Sequence, residues 1–134
     1  MNNSNKFLKL NINRTAEIVT CDGELLPFIY KTINCECFET VSIAGHYILI
    51  VDECGKICEP AKLHNILATA IYPGSLFDYI AGDALVAKVA NVDGERDIVG
   101  LSDYEIAVFL SVFKAQKLLR GVKWKNLLYH KTEK

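Results

Sequence analysis

The spacing of apolar residues along this chain changes character several times, and each change marks an element. Phe7-Leu8-Lys9-Leu10-Asn11 and Glu17-Ile18-Val19-Thr20 read as a short β-rich beginning. Asp22-Gly23 signals a turn, after which Leu25, Phe28, Ile29 and Ile33 recur at helical spacing and predict a helix from Glu24 to Asn34. Pro27 falls in its first turn, where no N–H is needed. Phe38 to Ile43 is a candidate strand, and Ala44-Gly45 a turn into Tyr47-Ile48-Leu49-Ile50-Val51. That run is continuously apolar, as a strand covered on both faces requires. A turn at Asp52-Glu53-Cys54-Gly55-Lys56 follows, with Gly55 expected at positive φ. Leu63 to Ile71 reads as a short helix or irregular segment stopped by Tyr72-Pro73-Gly74. Ala84 to Ala90 and Asp97 to Gly100 read as a strand and its return.

Ser102-Asp103-Tyr104-Glu105 has the form of a capping box, with the serine accepting from the Glu105 amide and the carboxylate answering the serine amide. It opens a helix expected to run to about Arg120 and to close at Gly121. The fold class this implies is α+β: a small, mainly antiparallel sheet with that long C-terminal helix packed across it. Residues 1–121 read as a single domain and 122–134 as a basic C-terminal tail. The apolar stripe of the 102–120 helix, from Ile106 to Leu119, is wider than one core face needs. Either the helix is buried on two sides, or it serves a homo-oligomer.

Composition narrows the class. The chain has 134 residues, 51% of them hydrophobic and 23% charged, enough for a core without metal or disulfide support. No apolar run approaches the length needed to span a bilayer, and the first residues lack the apolar segment of a secretory signal, so no membrane partner is expected and the cytoplasm is the expected compartment. The five cysteines (Cys21, Cys35, Cys37, Cys54, Cys58) are an odd number, consistent with reduced thiols, and their spacing does not match zinc knuckles. The net charge of −1 hides an asymmetry. Seven of the fifteen basic residues lie from Lys114 onward, where Glu133 is the sole acid. Those cations either complement a helix C-terminus or contact an anion, a nucleic acid or a neighbouring subunit.

Four pieces of the middle of the chain occur in a recognisable order: a strand running into Asp52-Glu53-Cys54-Gly55-Lys56, a Pro/Asn loop with Pro60 and Asn65, Ile80-Ala81-Gly82 at a strand start, and Leu101-Ser102-Asp103 opening a helix. In this order they resemble the domain-of-unknown-function family numbered 3846, carried mainly by phages, plasmids and the bacteria they infect. The resemblance covers roughly Phe7 to Phe113. It implies a mobile-element protein without a settled activity. The family's loop carries an Asn at the place of Asn65, often followed by a basic residue where this chain has Ile66.

No nucleophile elbow, Walker loop or dinucleotide fingerprint is present, and His46, His64 and His130 share no metal-ligand spacing. The carboxylates Asp52-Glu53 and the pair Asp78 and Asp83 lie at strand–loop junctions, where acids keep turns solvated. The remaining polar residues suit binding: Lys62, His64 and Asn65 after Pro60, with Tyr72 and Tyr79 nearby in sequence. Rings that stack on a base and Lys or Asn donors for phosphate and ribose are what a nucleotide-like ligand needs. The reading is a non-catalytic phage or mobile-element binding protein, without cofactor or metal, that sequesters a nucleotide-type immune signal to counter host defence. The alternative is a protein- or nucleic-acid-interaction module using the basic C-terminal segment.

Overall fold

The order of strands explains how a chain of this size buries two separate apolar layers. The computed structural model describes residues 5–124. β1 (Lys6–Leu10) and β2 (Thr15–Thr20) form an antiparallel hairpin, α1 (Leu25–Thr32) follows, and β3 (Phe38–Ala44) and β4 (Tyr47–Asp52) form a second hairpin. A long connection carrying α2 (Ile66–Ile71) leads to β5 (Ala84–Val92), which turns into β6 (Glu95–Val99). Then come α3 (Asp103–Ala115) and β7 (Gly121–Trp124). The sheet runs β3-β4-β5-β1-β2-β7, with β6 pairing the far half of β5. Every pairing is antiparallel except β2 with β7.

Strand alternation sorts the core. Leu8, Leu10, Ile18, Leu49, Val51 and Val86 face α2 and α3, meeting Leu67, Ile106, Leu110 and Phe113. Phe7, Val19, Ile48, Ile50 and Leu85 face the other way, onto Ile29 and Ile33 of α1 and its end. The unbroken apolar run of β4 is thus explained, since both faces of that strand are covered. No helix among the described residues is long and apolar enough to cross a membrane.

This architecture corrects the expected fold class. Among the described residues the sheet is not small but seven-stranded and mixed, the helices are three and short, and the longest, α3, spans 13 residues. Among the described residues no long C-terminal helix packs across the sheet, because α3 stops at Ala115 and a strand follows it. The start was read correctly: the capping box of Ser102 and Glu105 is formed in both directions. The end was not. Lys117 takes the left-handed conformation (φ 59°) and the Leu118 amide donates back to the Phe113 carbonyl, a Schellman closure with lysine where glycine is customary. Gly121, expected to close the helix, begins β7 instead. The turn of Arg14 fixes this exit: its Nε donates to the Leu118 carbonyl and its own carbonyl accepts from the Arg120 amide. The basic segment expected to start at 122 therefore opens inside β7, and its remaining lysines, from Lys125, lie outside the described residues.

Candidate functional site

The connection from Glu53 to Asp83 gathers all five residues singled out in the sequence, but gives them different tasks. Asn65 is fully buried. Its amide donates to the carbonyls of Leu10 (2.9 Å) and Gly82 (2.8 Å), and its oxygen accepts from the Ala68 amide as the N-cap of α2. Every side-chain hydrogen of Asn65 is committed to backbone. Lys62 is likewise structural: its ammonium lies 2.7 Å from the buried Asp52 carboxylate and donates to the Ile33 and Asn34 carbonyls at the end of α1. Its aliphatic stem crosses Gly82, where a Cβ would meet Lys62 Cδ at 2.7 Å and where φ is +87°. Gly55 serves by close approach rather than by the positive φ expected of it, since a Cβ there would sit 2.8 Å from the Ala81 carbonyl oxygen.

His64, Tyr72 and Tyr79 stay near the surface, and His64 and Tyr79 come together. Their rings lie 5.0 Å apart, while the Lys56 ammonium stands 4.8 Å above the Tyr79 ring. Lys56 also pairs with Asp78, to which the Tyr72 hydroxyl donates at 3.4 Å. The hydrogen bond from Lys56, followed by that from the Tyr79 amide, holds the Asp78 carboxyl below its usual range. Lys56 was not singled out for binding; its place four residues into a turn gave no sign that it would fold over Tyr79. The cavity beside this cluster holds only about 60 Å³, against about 300–1,000 Å³ for pockets that enclose a small ligand. A nucleotide base at this spot would lie on an exposed ring, not inside a pocket.

The same connection displays large apolar side chains to solvent: Phe77 at 93% exposure, Leu76 at 86%, Ile57 at 79% and Leu63 at 67%. Sequence reasoning passed over all four, because an apolar residue between turn signals looks like a core residue until the backbone shows which way it points.

Two larger concavities lie at the opposite ends of these strands. A cleft of about 750 Å³ opens where β6 diverges from the β1–β2 hairpin, floored by Phe7, Leu25 and Ile98 and edged by Asp22 and Asp97. Its thiol, Cys21, is buried, which raises the thiol's pKa above its ordinary value and leaves it a poor nucleophile. A notch of about 330 Å³ lies beside β5 where β4 begins, lined by His46, Tyr47, Lys88, Asn91, Arg96 and Glu105 among others. Glu105 is saturated there: it accepts from the Ser102 amide, from the Tyr47 hydroxyl at 2.6 Å and from Lys88 through both oxygens. Burial alone would raise its pKa, but these donors outweigh burial and bring it down to about 2.

Among the described residues no group of three or more His, Cys, Asp or Glu side chains is placed to hold a metal ion. All five cysteines are free thiols. Burial is the leading cause raising the Cys35 and Cys54 pKa values, reinforced by neighbouring acids. No family model matches this chain, and neither a curated protein nor a solved structure matches it, so the family resemblance rests on its quoted motifs alone.

Proposed function

We propose that this protein acts by binding rather than turnover, as an interaction module whose contact surface is the Glu53–Asp83 connection. One observation carries this reading: Phe77, Leu76, Ile57 and Leu63 stand in water on a segment whose polar side chains hold it in shape. Exposed large apolar groups concentrated in one region mark surfaces that a protein partner covers. The decisive comparison is affinity capture with the wild-type chain and with the double variant Leu76→Ser/Phe77→Ser, followed by reconstitution with the purified partner. The variant should keep the wild-type circular dichroism spectrum and lose the partner. Identical recoveries by both proteins would refute the assignment of this surface.

A second reading, sequestration of a nucleotide-type signal, is favoured by the Tyr79 ring with His64 against it and Lys56 above it. Aromatic faces flanked by cations retain bases by stacking, typically for about 1–3 kcal/mol per base. Native mass spectrometry of freshly purified protein would then show a nucleotide mass that disappears in Tyr79→Ala. Absence of any such adduct across added nucleotides would remove this reading and leave the interaction surface intact.

A further inference from the structure

The notch beside β5 lies far along the strands from the connection and contains a different chemistry. β4 pairs β5 only over Ile50 to Tyr47, so from Val89 onward the edge of β5 on that side has no strand beside it. The His46 carbonyl accepts the Val89 amide and closes the ladder. Side chains reach this edge from both faces of the sheet. Lys88 and Tyr47, cross-strand partners, come from the face covered by α3. Asn91 and Arg96, partners across the β5–β6 hairpin, come from the opposite face. His46 projects from the turn above.

The charges there do not cancel. Glu105 is the single acid lining the notch, and it is fully engaged by Lys88, Tyr47 and Ser102. A lysine ammonium has three hydrogens, and those directed at one carboxylate leave another for a ligand. Among the described residues Arg96 and His46 engage no carboxylate and no side-chain hydrogen bond. A guanidinium, an imidazole, an amide and a spare ammonium hydrogen around one concavity constitute a donor set for a phosphate group.

The rest of the notch selects the body of the ligand. Its aromatic phenol ring, Tyr47, is half-buried against the core, T-shaped to Phe109 at 5.4 Å and bonded to Glu105, so it presents no fully exposed face for stacking. Beside its charged and amide groups the wall adds only the small apolar side chains of Val89 and Ala90. At about 330 Å³ the space lies at the lower limit for ligand pockets. We infer that this notch binds the phosphate monoester of a small polyhydroxylated molecule, through Arg96 and His46 with Lys88 and Asn91 in support.

The test is a titration of amide-labelled protein, followed by NMR, with ribose 5-phosphate and separately with inorganic phosphate. Neither probe carries a base that could stack on Tyr79. Ribose 5-phosphate should saturate, shift the signals of His46, Asn91 and Arg96, and bind more tightly than inorganic phosphate. Arg96→Gln should weaken it about tenfold or more, the loss of one charge-assisted hydrogen bond, whereas Tyr79→Ala should leave it unchanged. Arg96 is exposed, so the variant's amide spectrum should otherwise overlay the wild type; His46→Gln provides an independent second variant. Absence of saturation, equal affinity for the two probes, or undiminished binding by both variants would each overturn the inference.

Discussion

Asn65 joins three elements through one side chain: the end of β1, the approach to β5 and the first turn of α2. Asn65→Ala would leave two buried carbonyls without donors and remove a helix cap, so a loss of about 3 kcal/mol is expected, read as a lower urea midpoint at unchanged slope. Glu105 makes a different prediction, in pH. Its folded pKa of about 2 lies below the ordinary 4.5, so its stabilisation is fully present above that ordinary value and is lost as pH falls toward 2. The loss should amount to about 3 kcal/mol at most, and Glu105→Gln should flatten that acid limb in urea titrations repeated between neutral and acid pH. The Ser102–Glu105 capping box was legible in sequence because its partners are three residues apart. Tyr47 and Lys88 were not, since only the sheet register brings them to the same carboxylate.

α3 shows the same divide between local and distant causes. Its start follows from neighbours in sequence, whereas its end is set by Arg14, from the first hairpin, gripping the Leu118 and Arg120 backbone. A chain read locally runs the helix on to the next glycine. The strain that remains is testable. Lys117 lies in the left-handed region, so Lys117→Gly should raise stability by roughly 0.5–1 kcal/mol, the relieved steric penalty less the added freedom of the unfolded chain; thermal unfolding monitored by circular dichroism would report it as a higher midpoint. The short elements fared similarly. β4 was visible as an apolar run and α1 by its stripe, but the expected small sheet missed how β1 slots between β5 and β2. Nothing in strand periodicity states which strand lies beside which.

At the scale of the whole molecule, the apolar side chains left exposed among the described residues include those of the Glu53–Asp83 connection, and Tyr104, Val108 and Val112 along one side of α3. The second spacing repeats every four residues, the pattern of a helix face that meets another helix. We therefore expect self-association through α3, seen in sedimentation velocity as a concentration-dependent increase in mass and abolished by Val108→Asp. An unchanged monomer at every concentration would refute it. Of the residues expected from sequence to bind, His64 and Tyr79 meet at the surface while Lys62 and Asn65 serve the scaffold, a division that depends on burial, which no motif encodes. The parallel pairing of β2 with β7 carries a further implication, for biogenesis. Thr15–Ile18 are synthesised well before the segment that completes their hydrogen-bonded ladder, Gly121–Trp124, which follows every other strand of the sheet. Until then one flank of the nascent hairpin is an open template for neighbouring chains, and slow translation of the residues between the two segments would lengthen that hazard.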